Sequence, residues 1–376
     1  MTIGNVGIGK AEGVECEPPL IREAALNLSE PDLAANYDLF KNEHLSVIRL
    51  EDDSSVRQAA ALLKSLNPKS IALDIETTSK DGNLGAVNGA FNGAIRLIQL
   101  GVKTENHEFQ LIIDCHSANP AALLPVLRSP RIEKQIHYSN FEQAWLRTHC
   151  GVELKNVYDT CIADREIQKS LYEILTEAGL EAGRSRYQEL NPENSKPWTP
   201  YIQRYKDAEP DRQARAAMEA AGLAAAQALV PGWEPGPSRL QDLVRRHLEM
   251  EIPKEDQISD WGRKDLLGNQ IVYAAMDVAL LSEITRQVKA EAKLLGLEEE
   301  IREKTEKACQ GIVNRADGYA KKFPDDQERV VRALKRSRTK QEIDRIQDAS
   351  WQMTLTAESR RMVKTVASEL RSGLKK

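Results

Sequence analysis

Ser70-Ile71-Ala72-Leu73 runs directly into Asp74-Ile75-Glu76, and this junction constrains the chain more than any other feature. A short apolar run of this kind reads as a buried strand. Side chains alternate along a strand, so Asp74 and Glu76 fall on one face. Two acids side by side repel each other unless a cation lies between them, and paired carboxylates suit Mg²⁺ or Mn²⁺. Taken alone, the pair is equally compatible with an edge strand carrying two solvated acids. A binding site needs further ligands from elsewhere in the chain.

The candidate partner lies some two hundred residues on. Gln270-Ile271-Val272 leads into Tyr273-Ala274-Ala275-Met276-Asp277, and Val278-Ala279-Leu280-Leu281 follows. Apolar residues recur at helical spacing, which predicts a largely buried helix. Tyr273 and Asp277, four apart, share one face of it. The approach contains Leu240-Gln241-Asp242-Leu243, Arg245-Arg246-His247-Leu248, Lys254 to Trp261, and Leu266-Leu267. This stretch resembles the third motif of the DEDD 3′→5′ exonucleases, in the subgroup with a catalytic Tyr. Ribonuclease D and the proofreading domain of family A DNA polymerases belong there. Asp74 and Glu76 match the first motif, and the resemblance covers roughly residues 46 to 292 with one interruption.

The second motif of that family is an Asp at the start of a helix. Here Gln135-Ile136-His137-Tyr138-Ser139-Asn140-Phe141 precedes Glu142, so a Glu stands where the family usually has Asp. Its carboxylate is one methylene longer. That reach could serve a metal or misplace it, and small displacements cost heavily in catalysis. The bland alternative is a helix N-terminal Glu stabilised by the macrodipole. Asp159-Thr160 matches a family position outside the metal shell. Asp159 reads first as a helix cap and stands as a second-tier site.

The resemblance implies an α/β fold: a ribonuclease-H-like mixed sheet with flanking helices, a helical insertion and a helical C-terminal region. It implies hydrolysis of single-stranded RNA or DNA from a free 3′ end to nucleoside 5′-monophosphates, using two divalent metal ions, Mg²⁺ or Mn²⁺. Asp74 would bridge both ions, Glu76 and Asp277 would help hold one, and Glu142 the other. Tyr273 would orient the attacking water. A ribonuclease D-like role in RNA processing is slightly favoured, because no polymerase region is attached. Two alternatives stay open: a non-catalytic nucleic-acid-binding scaffold, suggested by the Glu142 departure, and a proofreading subunit recruited to a DNA polymerase.

The expected organisation is an N-terminal arm over 1–45, the exonuclease domain over 46–292 with an insertion at about 169–238, and a helical, basic region over 293–376. Predicted strands are Val47–Leu50, Ser70–Ile75, Ile95–Leu100, Gln110–Asp114 and Lys134–His137. Asp53-Ser54-Ser55 is expected to cap a helix over Val56–Leu66, and the Gly/Asn-rich stretch Gly82–Gly93 to form a long loop. That loop lacks the Gly-Lys-Ser/Thr of a Walker motif. The insertion carries an Ala-rich helix near Arg212–Leu229. Its Trp198, Tyr201, Arg204 and Tyr205 could stack bases and contact phosphate, or simply bury the insertion against the core.

Charge is uneven. The chain carries a net −5, yet residues 321–376 hold fifteen Lys/Arg against eight Asp/Glu, densest at Lys335-Arg336-Ser337-Arg338-Thr339-Lys340. Such a tail can grip a phosphate backbone or be a solvated helix face. The insertion and this tail are also where a protein partner could dock. Five cysteines without a Cys-x-x-Cys pair argue against a zinc knuckle and a disulfide framework. With no signal-peptide pattern and no run of membrane-span length, a cytoplasmic protein with no membrane contact is expected.

Overall fold

The computed structural model describes residues 46–78, 85–90, 94–105, 108–194, 198–200, 208–250, 259–263, 265–321, 327–350 and 357–374. The expected arm over 1–45 lies outside them, as do Tyr201, Arg204 and Tyr205.

Alternating apolar residues build six strands: β1 (Val47–Leu50), β2 (Ser70–Thr77), β3 (Ile95–Lys103), β4 (Glu108–Asp114), β5 (Glu133–Ile136) and β6 (Val157–Asp159). They form one mixed sheet in the order β1-β4-β3-β2-β5-β6. β2, β3 and β4 pair antiparallel as a meander, while β1, β5 and β6 join in parallel. This is the ribonuclease-H-like arrangement expected from the sequence. Among the described residues no helix is long and apolar enough to cross a membrane.

The two faces of the sheet are covered by different helices. Leu73, Ile75, Ile98 and Leu100 point into the main core, together with α1 (Asp53–Leu66) through Val56, Ala59 and Leu63. Asp52 rather than Asp53 caps α1: its carboxylate accepts from the backbone N–H of Ser54 (2.7 Å) and Ser55 (2.9 Å). The stretch expected as one long loop contains a short helix, α2 (Gly85–Ala90). Tertiary contact overrides its poor helix propensity: Ala90 is fully buried, and its carbonyl accepts from His149 Nε2 at 2.8 Å. Beyond β4 come α3 (Leu124–Arg128) and α4 (Asn140–Cys150). Trp145 of α4, 1 % exposed, anchors that helix in the main core.

Between β6 and the next core helix the chain makes a long antiparallel excursion. α5 (Thr160–Leu190) and α6 (Glu209–Leu229) cross so closely that glycine is needed at the contacts. A Cβ at Gly179 would sit 2.6 Å from the Met218 carbonyl oxygen, and one at Gly222 would sit 2.5 Å from that of Leu175. Trp198 is buried and its indole N–H donates to Asp211 Oδ1 at 2.7 Å, so it serves the packing of the excursion. The short helix α7 (Leu240–Leu248) follows, and its Arg246 Nη2 donates to the buried Asp164 Oδ1 at 2.8 Å.

α8 (Gly268–Leu294) then lies across the second face of the sheet, meeting β2, β3, β4 and β5. Small residues set its height. A Cβ on Gly101 of β3 would come within 2.7 Å of the Val278 carbonyl oxygen, and Ala72 packs beside Val278 and Leu281. The next helix, α9 (Glu298–Lys321), packs on α4 and β6 and contributes Ile312 to the main core. α10 (Gln327–Arg336), α11 (Lys340–Ser350) and α12 (Ala357–Gly373) enclose their own small core of Val330, Leu334, Ile343, Val363 and Ala367. A buried pair fastens them to the sheet domain, with His116 Nε2 and Glu342 Oε1 2.9 Å apart and each side chain 5 % exposed. Arg345 adds a hydrogen bond to the Ala118 carbonyl. Nearby, the fully buried Arg96 of β3 pairs with Asp114 at the end of β4.

Candidate active site

Alternation along β2 turns Ala72, Asp74 and Glu76 toward α8, whereas Leu73 and Ile75 turn into the main core. Helical spacing on α8 brings Tyr273 and Asp277 to the same face, one turn apart. Asp74, Glu76 and Asp277 each offer a carboxylate oxygen, and these oxygens lie within 4.8 Å of one another. Asp277 is buried, and Asp74 and Glu76 are half-buried. The chain thus brings a strand and a distant helix together at one acidic centre.

Glu142 lies in the first turn of α4, 2 % exposed. It stands apart from that group of three but reaches Asp74, to which it donates a hydrogen bond as the protonated partner. Its Oε2 is buried without a protein partner. Glu142 is therefore aimed at the acidic centre.

Mutual repulsion and burial govern the protonation of these acids. Burial pushes Asp74 up to about 6. Glu76 is raised well above the carboxylate range by burial, then by the charges of Asp74, Asp277 and Glu142. Burial and the Asp74 charge raise Glu142 and Asp277 as well. The Tyr273 hydroxyl is raised by burial and by Asp277, so it stays protonated and donates to the Asp277 carboxylate. Each of the four acids is therefore harder to ionise than a solvated carboxyl.

The supporting contacts were less visible in the sequence. Gln99 of β3 is fully buried directly across from Asp74 in the sheet register. With its amide nitrogen turned to the acceptors, it donates to Asp74 Oδ2 at 2.8 Å and to the Ala274 carbonyl at 3.3 Å. It ties the acidic strand to α8. At the start of α8, Gln270 donates to Ser259 Oγ (2.9 Å) and accepts from the Leu267 N–H (2.9 Å). The turn it fastens carries Trp261, whose ring centroid lies 6.3 Å from that of Tyr273.

Asp159 lies outside the acidic group and caps α5, accepting from the N–H of Cys161 (2.9 Å) and Ile162 (3.1 Å). It also accepts from the N–H of Tyr138 (3.2 Å) and from the N–H and Oγ of Ser139 (both 2.7 Å). Tyr138 has φ +69°, a strained value for a bulky residue. Asp159 thus holds the strained turn from which α4 launches Glu142.

The donor set fits divalent cations of the Mg²⁺ or Mn²⁺ type. All donors are carboxylate oxygens, the acids are too crowded to ionise together unaided, and one buried Glu142 oxygen awaits a partner.

No curated protein matches the chain in sequence. Among solved structures, an apo nuclease is similar at 22 % identity and TM-score 0.43, the match covering 72 % of this chain and 90 % of the other. Brucella melitensis NrnC with bound Mg²⁺ shows 15 % identity and TM-score 0.40 over 72 % and 90 %. Escherichia coli RNase D shows 15 % identity and TM-score 0.43 over 88 % and 75 %. A family model described as 3′-5′ exonuclease matches residues 50–177 and 202–293. These two segments contain Asp74, Glu76, Glu142, Tyr273 and Asp277, and leave out residues 178–201 within the α5–α6 excursion. With well over half of its residues matched, the chain belongs to the 3′-5′ exonuclease family.

Proposed function

We propose that the chain hydrolyses single-stranded nucleic acid one nucleotide at a time from a free 3′ end, releasing nucleoside 5′-monophosphates. The observation that carries this reading is the convergence of Asp74, Glu76 and Asp277 within 4.8 Å, with Tyr273 donating to Asp277 beside them. Asp74, Glu76, Asp277 and Glu142 would hold two divalent cations, Mg²⁺ or Mn²⁺. Bound there, such ions supply charge for the pentacovalent phosphorus and the leaving 3′ oxygen and acidify a water. The chain supplies the rest. Gln99 fixes the Asp74 carboxylate by a hydrogen bond, and Asp159 fixes the turn that aims Glu142. Loss of the Glu142 proton frees both Glu142 and Asp74 as ligands. Tyr273 stays protonated and offers its O–H to orient the nucleophile.

The Glu in place of Asp at 142 is consistent with activity, because its carboxyl meets Asp74 from α4. This favours the hydrolytic reading over a non-catalytic scaffold. A reducing, cytoplasmic setting accords with the four described cysteines, all free.

The test uses RNA and DNA oligomers of one sequence, labelled at the 5′ end and incubated with Mg²⁺ or Mn²⁺. A ladder shortening from the 3′ end, abolished by EDTA, supports the proposal and identifies the preferred sugar. Binding without cleavage of either oligomer would replace it with the scaffold reading.

Two substitutions probe the roles. Tyr273→Phe is expected to lower kcat by about 10²-fold, the scale of one positioned hydrogen bond to the reacting groups, with cation affinity retained. Weakened cation binding by calorimetry would assign Tyr273 a different role. Glu142→Asp is expected to stay within about tenfold of the parent rate or to exceed it, provided α4 can move slightly inward. Complete loss would show a centre built around the longer side chain.

A further inference from the structure

The densest basic run of the chain forms the corner between α10 and α11 and meets the lip of the acidic centre. Lys335, Arg336, Arg338 and Lys340 are all exposed there. Arg338 Nη1 lies 3.3 and 3.4 Å from the two carboxylate oxygens of Asp260, and its Cδ would be 3.8 Å from a Cβ on Gly262. Between Asp260 and Gly262 stands Trp261, the residue packed beside Tyr273. The corner is also held in place. Buried Glu342 accepts from the backbone N–H of Arg338 (2.6 Å) and Thr339 (3.1 Å) and pairs with His116 of the sheet domain. These contacts make it a held positive surface beside the turn that carries Trp261, rather than a free tail.

An anionic strand whose 3′ end enters the acidic centre must leave it past one of the surrounding walls. Among the described residues, the Asp260–Gly262 lip is a wall backed by basic side chains, with Arg338 held against it. We propose that the Lys335–Lys340 corner is the track for the phosphates of the single strand upstream of its 3′ end. The inference rests on the hydrolytic reading of the acidic centre and adds the route by which a longer strand is held. Contacts of this kind are made to phosphate, so they serve RNA and DNA alike and are screened by salt.

The test compares the full chain with the variant Lys335→Glu/Arg336→Glu/Lys340→Glu, which keeps Arg338 to hold the corner. Binding of a fluorescent oligomer of about twelve nucleotides is read by anisotropy in EDTA across a salt series, so that no chemistry is required. The parent is expected to bind with a steep salt slope. The variant should bind about tenfold more weakly at low salt and with a slope lower by about 2, the value for three lost contacts to a single strand. In Mg²⁺, the preference of the parent for the long oligomer over a dinucleotide, as kcat/KM, should collapse toward unity in the variant. Parent-like affinity and slope in a folded variant, checked by circular dichroism, would overturn the proposal. Because the binding arm needs no hydrolysis, an inactive parent with a corner-dependent salt slope would sink the nuclease reading and leave the corner as a strand-binding surface.

Discussion

Asp74→Ala is expected to lower 3′-end hydrolysis by about 10⁴-fold, the scale seen when one member of a cooperating catalytic set is removed. Asp74 is the hub of the centre: Glu142 donates to it, Gln99 donates to it, and its charge raises Glu76, Glu142 and Asp277. The same position predicts an opposite effect on stability. In EDTA, a carboxyl whose folded pKa is raised to about 6 loses stability as pH rises, because ionisation is harder in the folded chain than in the unfolded one. The destabilisation is absent below the unfolded value, near 4, and complete above the folded one. Asp74→Asn keeps an acceptor for Gln99 but removes a charge. It is therefore expected to melt higher than the parent at pH 8 in EDTA. Added Mg²⁺ should raise the parent Tm and leave that of the variant nearly unchanged. Parent-like hydrolysis by folded Asp74→Ala would refute the site assignment, and an identical Mg²⁺ response in both proteins would refute the account of its electrostatics.

Asp114→Ala is expected to cost about 4 kcal/mol, the largest stability loss anticipated outside the acidic centre. The Arg96 side chain is fully buried and Asp114 is its anionic partner. Removing one member of a buried pair leaves the other charge in a poorly polarisable interior with only its remaining contacts, which costs about 3–5 kcal/mol. Asp114 Oδ1 also accepts from the His116 N–H at 2.8 Å, and His116 fastens α11 through Glu342. The loss should therefore include looser docking of the C-terminal helices, visible as earlier proteolysis beyond α9. Urea denaturation followed by Trp fluorescence measures the first effect, and a loss below about 1 kcal/mol would mean that Arg96 finds other compensation. Replacing both partners, as Arg96→Met with Asp114→Leu, is expected to recover most of the stability.

The acids of the centre were legible because each lies on an element with a clean period. Alternation placed Asp74 and Glu76 together, and i to i+4 spacing paired Tyr273 with Asp277. Their meeting in space was not readable from periodicity and entered through the family resemblance. Glu142 is legible from its place after Gln135–Phe141, which matches the second motif of the family, and the structure brings it to Asp74. Gln99 was missed, although a lone amide in the run Ile95–Leu100 is a signal in itself. Its meaning depends on register, which opposes it to Asp74 and which no local pattern specifies. The residues of α2 suggest a loop because Gly and Asn favour neither helix nor strand, and the helix forms where Ala90 is buried beside α4. The sequence points to Asp53 as the cap, one residue late, since Asp52 and Asp53 offer the same side chain and only backbone geometry separates them.

The glycine-lined crossing of α5 and α6 has a mechanical meaning. Two helices touching backbone to backbone at Gly179 and Gly222 cannot bend independently. Leu171 is the last fully buried apolar residue of α5, and beyond it the helix extends for about 28 Å to Leu190. Over that length a tilt of about 5° at the base displaces the far end by about 2.5 Å. The base is anchored by the Asp164–Arg246 pair and begins at Asp159, the residue that holds the turn before Glu142. The excursion is thus a stiff lever whose fulcrum adjoins the acidic centre, so that a load on its tip bears as torque on the turn before Glu142.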